Sequence, residues 1–161
     1  MRKILKYGLC LTVVLLAACS TPPKGEARTY ARVNDWRSSL DLHGLEQKYD
    51  LPKGLLSAVM HQESRGIANA RSRTGAQGLF QIMPATARDL KLASAYHPET
   101  AAQAAAQYLA QLYKHYSGDL KRTLAAYNWG IGNVDKYGTD DMPQETRTYI
   151  TRVTKLRQFY N

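Results

Sequence analysis

Leu56, Val59, Met60 and Glu63 are spaced by three, four and seven residues, the interval that puts side chains on one face of a helix. Three of the four are apolar and belong against a core. A carboxyl on that stripe loses water, and desolvation favours its neutral form, so its pKa rises. Such a carboxyl still holds a proton near neutral pH, which is what a general acid needs when a leaving group departs. The bland alternative is a helix-end glutamate that turns to solvent or pairs with Arg65, Arg71 or Arg73. Periodicity leaves both open.

The stretch that follows, "GAQGLFQIMPATA" from Gly75 to Ala87, carries glycines that permit close backbone approach and holds no acid. Pro84 can start a helix, which leaves "GLFQIM" as a connection able to line a cleft. Leu79, Phe80, Ile82 and Met83 read as core plugs. Gln81, an amide between them, needs hydrogen-bond partners, and sugar hydroxyl or acetamido groups are good ones. Between Ser64 and Arg88 there is no Asp or Glu, so the second carboxylate that most glycosidases place across the scissile bond is missing locally. Asp135, Asp140, Asp141 and Glu145 are the more distant acids that folding could bring in.

The elements that must position these residues read as helices. Val33, Trp36, Leu40 and Leu45 fall at near-helical spacing, interrupted by Gly44. Asp50 can cap a helix through Glu63, with Pro52 in its first turn. A short helix runs from Pro84 through Leu90. A longer one starts at Pro98, shows Ala101, Ala105, Tyr108, Leu109, Leu112 and Tyr116 on one side, and ends near Gly118. Asp119 can cap "LKRTLAAYN", and a last helix from about Gln144 carries Tyr149, Ile150, Val153, Leu156 and Phe159. No strand pattern stands out. The class is mainly α, with little or no β.

The chain has 161 residues, enough for one domain. It opens with a basic Arg2, Lys3 and Lys6 segment and an apolar run from Gly8 to Ala18, the parts of a secretory signal. "LAAC", Leu16 to Cys19, is similar to the lipobox of bacterial lipoproteins, in which the cysteine is lipidated after cleavage. The resulting plan is a signal peptide over 1–18, a lipid-anchored tether over 19–30 and a catalytic domain over 31–161. Cys10 leaves with the signal, so the mature chain has no cysteine pair and its stability must come from packing. Loss of the signal takes Arg2, Lys3 and Lys6 and no acid, so the formal net charge falls from +9 to +6, which points to an anionic partner outside the cytoplasm or to a generically basic surface. No helix shows the dense basic stripe of a nucleic-acid binder. His43, His61, His97 and His115 form no metal-ligand spacing, "HQESR" lacks a zinc protease's second histidine, and "GAQG" lacks the ending of a phosphate loop. No metal or cofactor is expected.

Four segments occur in one order: Glu63-Ser64, Gly75 to Ala87, "AAYN" at Ala125 to Asn128, and "ETRTYI" at Glu145 to Ile150. Together they resemble the soluble-lytic-transglycosylase family, relatives of goose-type lysozyme, over about residues 50 to 153. The resemblance implies a lysozyme-like helical domain. It also implies cleavage of the β-1,4 bond between N-acetylmuramic acid and N-acetylglucosamine in peptidoglycan, leaving 1,6-anhydro ends. Carried onto this chain, it makes Glu63 the sole catalytic acid/base. Ser64 would hold the carboxylate or nearby substrate, and Gln81 would line the substrate cleft. Tyr127 and Asn128 would contact the glutamate and sugar, with Glu145 and Tyr149 on the far side of the cleft. Departures are Ala101 and Ala105 where asparagine and glycine are common, Phe80 for methionine, and Trp129-Gly130-Ile131 in place of Ala-Gly-Pro. Trp129 is either a sugar-stacking face or core.

The rival readings are a hydrolytic muramidase and a non-catalytic wall-binding lipoprotein. The expected partners are peptidoglycan glycan strands and, through the lipid anchor, a membrane. With Ser20 rather than aspartate after the cysteine, that membrane is the outer one, facing the periplasm. The small size also suits enzymes that open the wall for a secretion or conjugation apparatus.

Overall fold

The computed structural model describes residues 25–161, and the expected signal peptide and Cys19 lie outside the described residues. Among the described residues there are eight helices: α1 Ala27–Ser39, α2 Leu42–Lys48, α3 Leu55–Ser64, α4 Pro84–Asp89, α5 Pro98–His115, α6 Leu120–Trp129, α7 Ile131–Tyr137 and α8 Gln144–Tyr160. Extended pairing among these residues is limited to two isolated bridges, Arg71 with Gln77 and Gln77 with Ile82. The expectation of a mainly helical fold is met.

α3 is the axis of the molecule. It packs against α1, α2, α5 and α8, and its residues from Leu55 to His61 are all buried. A helix enclosed on every side needs no polar face. Burying each of Leu55, Leu56, Val59 and Met60 contributes about 1.5–3 kcal/mol.

The start of α3 corrects the sequence reading. Its N-cap is Gly54, at φ 77°, and Asp50 sits in the preceding turn at φ 52°. The capping carboxylate comes from α2. Glu46, 2% exposed, accepts from the Gly54 N–H at 2.8 Å through Oε2 and from the Leu56 N–H at 2.8 Å through Oε1. It thus satisfies two backbone donors that the helix itself leaves open. A Cβ at Gly54 would come within 2.9 Å of the Tyr160 backbone, so glycine lets the end of α8 close over this cap.

α1 begins at Ala27, before the expected end of the tether at residue 30, and Tyr30 is already in the core. Asp119 caps α6 as expected, its side chain accepting from the Arg122 N–H. On α5 the buried set includes Ala102, Ala104 and Ala106 as well as the expected stripe, because α5 runs between α2, α3 and α6. α7 was not foreseen. Gly130 at φ 98° caps this short helix, which anchors through Val134. Trp129 packs partly buried against the core around Val134 and stacks on the exposed Tyr137 ring, centroids 6.0 Å apart.

Candidate active site

α3 ends where Arg65 and Gly66 take left-handed conformations, φ 55° and 73°. α1 clamps this end: Arg32 Nε donates to the Arg65 carbonyl at 2.9 Å and Trp36 Nε1 to the Gly66 carbonyl at 3.0 Å. A Cβ at Gly66 would lie 3.1 Å from Arg32 Cγ, so glycine fits the clamp. Glu63 therefore stands in a fixed last turn. It is half-buried, at the wall of a cavity of about 380 Å³ that Gln62, Asn128, Glu145, Tyr149 and Arg152 also line.

The electrostatics of Glu63 follow from this placement. Burial pushes its carboxyl up to about 7, and the Tyr149 hydroxyl is the group that pulls it down. Tyr149, on α8, is itself buried, and its hydroxyl makes no hydrogen bond in this structure, which leaves it free to turn toward the Glu63 carboxyl. Loss of water, reinforced by the nearby Glu63 charge, holds the Tyr149 phenol well above its ordinary pKa, so it stays protonated. Tyr127, from α6, feels the same two influences and stays protonated too.

Ser64 does not face the cleft. Its hydroxyl donates to the Leu79 carbonyl at 2.8 Å, lies 3.3 Å from the Met60 carbonyl, and accepts from the Gly66 N–H at 3.1 Å. It joins the end of α3 to the 75–83 stretch from inside the core. This corrects the expectation that Ser64 touches carboxylate or substrate and matches the alternative, a cap on the helix end: every hydrogen bond it makes goes to backbone.

The 75–83 stretch is held at both ends. Leu79, Phe80 and Ile82 are buried, as expected of core plugs, but Met83 is 41% exposed where the chain turns into α4. Gly78, at φ 75°, passes so near Ala95 that a Cβ would meet the Ala95 carbonyl. Tyr127 donates to the Phe80 carbonyl at 2.9 Å, tying α6 to the same strip. Gln81 adopts φ 47°, a conformation that side-chain-bearing residues rarely take and that clusters at functional sites. Its amide nitrogen donates to the Gly78 carbonyl at 2.9 Å and the Ala70 carbonyl at 3.3 Å. The donor end is spent on the loop, and the acceptor end is what Gln81 has to offer a ligand.

Asn128 lies at the cavity wall with its orientation set by α8: its Oδ1 accepts from Thr146 Oγ1 at 2.8 Å. The amide nitrogen is thereby directed away from Thr146 as a donor. Glu145 is exposed in the first turn of α8, where the helix dipole favours a negative charge. Glu63, Asn128, Glu145 and Tyr149 thus share one cavity. Tyr127 sits behind them and Gln81 on the adjoining strip, while Ser64 is buried beneath.

Three contributors went unread in the sequence. Thr146 is a buried hydroxyl that orients Asn128, Arg152 is a cation at the cavity wall, and Glu46 fixes the helix carrying Glu63. Thr146 and Arg152 lie on the same α8 ladder as Tyr149, at helical spacing of three, which is the signal that marks them.

The chain was compared with known proteins. The transglycosylase SLT domain family matches residues 43–150. A membrane-bound lytic murein transglycosylase F from Cellvibrio japonicus is 30% identical over 156 residues, covering 85% of this chain and 31% of that protein. The transglycosylase of Enterobacteria phage PRD1 is 34% identical over 108 residues, covering 67% of this chain and 38% of its own length. Among solved structures, an inactive mutant of lytic transglycosylase Slt from Pseudomonas aeruginosa superposes with a TM-score of 0.66 at 28% identity, over 74% of this chain and 23% of that one. The 70 kDa soluble lytic transglycosylase of Escherichia coli shares the fold at a TM-score of 0.64 and 23% identity, over 83% of this chain and 29% of that one. The chain spans about a third of the length of the curated relatives it matches. With the family match running from α2 into α8, through Glu63 and the cavity around it, the chain belongs to the transglycosylase SLT domain family.

Proposed function

We propose that this chain is a peptidoglycan lytic transglycosylase with Glu63 as its one acid/base. The observation that carries this reading is the Glu63 carboxyl itself: cleft-facing, shifted to about 7, and moved by burial and a tyrosine hydroxyl with no second carboxylate acting on it. Asp135 is engaged elsewhere, by His115 at 3.1 Å and the Tyr116 hydroxyl at 2.9 Å. Asp140 and Asp141 are not among the residues that line the Glu63 cavity.

The chemistry follows from having one carboxyl. Protonated Glu63 gives its proton to the glycosidic oxygen as the bond from that oxygen to C1 of the muramyl residue breaks. The substrate's 2-acetamido carbonyl stabilises the cationic C1. Glu63, now a carboxylate, takes the proton of the muramyl C6 hydroxyl as that oxygen bonds to C1, closing a 1,6-anhydro ring. Acid and base alternate in one group, and no water is consumed. Holding the hydroxyl beside C1 gives the ring closure a large proximity advantage over attack from solution. Tyr149, held as a phenol, stabilises the carboxylate stage without competing for the proton, while Tyr127 keeps its hydroxyl on the Phe80 carbonyl and fixes the adjoining strip. Asn128 and Gln81 supply an amide donor and an amide acceptor for the acetamido and hydroxyl groups. Glu145 and Tyr149 support the cleft from α8.

Glu145 is the observation behind a second reading, a hydrolytic muramidase, since it lines the same cavity. Chromatography and mass spectrometry of digested sacculi separate the two. Anhydro ends made by wild type, retained by Glu145→Gln and lost in Glu63→Gln, are the expected result. Reducing muramyl ends would overturn it. Unchanged lysis by Glu63→Gln would instead favour a non-catalytic wall-binding protein.

We also place the protein in the cell envelope, anchored through lipidated Cys19 to the outer membrane and facing the periplasm. The relatives are named as membrane-bound, and among the described residues no helix is long and apolar enough to cross a membrane. From Cys19 to the start of α1 at Ala27 the chain can reach at most about 30 Å, so an anchored domain stays near the bilayer. Glycan strands are the proposed substrate, and a secretion or conjugation apparatus is the proposed setting. Radiolabelled-palmitate incorporation, abolished by Cys19→Ala, tests the anchor.

A further inference from the structure

A second cavity, about 320 Å³, opens on the face formed by α1, α3 and α8. Gln62 and Arg152 line both it and the cavity holding Glu63, so the two share a wall. Three cationic side chains, Arg65, Arg152 and Lys155, surround it, against one carboxylate, Glu26. Its floor is apolar, formed by Tyr30 and Phe159, whose rings pack edge-on at 5.5 Å. His61 closes the inner end. Its Nδ1 is 2.7 Å from the Tyr160 hydroxyl and its Nε2 is 3.6 Å from the Glu26 carboxylate; burial favours the neutral imidazole and outweighs the opposing pull of Glu26.

The mechanism above uses none of these groups except the shared wall. They form a concave, net-cationic site with one anionic corner and a greasy base, next to the cleft across the wall of Gln62 and Arg152. A glycan strand is uncharged along its sugars and gains little from such a site. The muramyl residue, however, carries a short peptide on its lactyl group, with free carboxylates and often a free amine. We propose that this cavity seats that peptide stem, with its carboxylates against Arg65, Arg152 and Lys155 and its ammonium against Glu26. The assignment rests on glycan cleavage at Glu63. A phospholipid surface fits less well: a bilayer is flat and uniformly anionic, and it would be repelled by Glu26 and unable to enter the hollow.

The test uses the full-length chain in detergent and the double variant Arg65→Gln/Lys155→Gln, which leaves the shared Arg152 in place. Sacculi are digested either intact or after an amidase has removed the stems, and the release of muramyl ends is followed. Wild type is expected to lose roughly five- to tenfold in kcat/KM on the stripped strands, the size that two exposed ion pairs carry. The variant is expected to show most of that loss on intact sacculi, Arg152 and Glu26 keeping the remainder, and to match wild type on stripped ones. Equal rates on both substrates for wild type, or an equal loss on both for the variant, overturns the proposal.

Calorimetric titration reads the site without turnover. The disaccharide-tetrapeptide should bind more tightly than the bare disaccharide, and the variant should erase the difference; equal affinities overturn the proposal. If wild type releases no anhydro ends from either substrate while the calorimetric difference holds, the cleavage chemistry fails and the stem site stands. If the variant loses binding to vesicles of anionic phospholipid but keeps its stem preference, the cations serve a membrane and the proposal fails.

Discussion

The hydroxyl of Tyr149, on the last helix, is the one polar group that favours the charged form of Glu63, on the central helix, and the two side chains line the same cavity. The two residues lie far apart in the chain and meet because α3 and α8 pack side by side. Burial and this one donor act on Glu63 in opposite directions, and burial prevails: the carboxyl rests near 7, well above 4.5.

Removing the donor should tip the balance further. Tyr149→Phe leaves burial in place and takes away the hydroxyl that favours the carboxylate, so the Glu63 pKa rises. The expected result is a pH–rate profile whose limb near neutrality moves to higher pH, with a lower maximum because the base stage loses its support. A profile unmoved on the pH axis would mean that the hydroxyl does not bond the carboxyl in the working enzyme.

The raised pKa also has a cost for stability, with a definite sign. A carboxyl whose folded pKa lies above its unfolded one contributes stability that is fully present below the unfolded value and is lost as pH rises through the folded one. For Glu63 the window runs from about 4.5 to about 7, and the loss across it is at most roughly 3 kcal/mol. Glu63→Gln should therefore melt at a higher temperature than wild type at pH 8. The gap should close on acidification below pH 4.5. Thermal melts of the two proteins across that range measure it.

Much of this site is legible in the sequence, and what is not has physical causes. Glu63 can be picked out because it continues an apolar stripe, and α5, α6 and α8 because proline, aspartate and periodicity mark their ends. Ser64 misleads because adjacency along the chain says nothing about direction: one step along a helix rotates the side chain about 100°, here from cleft to core. The cap on α3 is hidden because it comes from Glu46 on another helix, beyond any local pattern. α7 is hidden because glycine argues against helix until Val134 is seen to bury. Met83 fails as a core plug because α4 begins immediately after it and the turn faces solvent.

Ser64→Ala distinguishes a fastener from a substrate contact. The substitution leaves the buried Leu79 carbonyl and Gly66 N–H without their hydroxyl, at a cost of about 1–3 kcal/mol. Urea denaturation should show that loss in midpoint. The kinetic effect should fall on kcat, through looser seating of Glu63 against the 75–83 strip, with KM for glycan little changed. A raised KM at unchanged stability would assign Ser64 to the substrate after all.

Glu46 gives a test remote from the cleft. Burial raises its pKa while the Gly54 and Leu56 N–H bonds lower it, and burial is the larger effect. Glu46→Gln keeps one acceptor oxygen and should lose part of the cap. Glu46→Ala removes both bonds and opens a hole beneath α3, costing roughly 3 kcal/mol or more. Amide hydrogen exchange should locate the damage at the first turn of α3, with Gly54 and Leu56 losing protection first. Because Glu46 touches neither Glu63 nor the cavity residues, the fraction of Glu46→Gln that remains folded should cleave at the wild-type rate. A folded variant with depressed turnover would show that the start of α3 sets the position of its end.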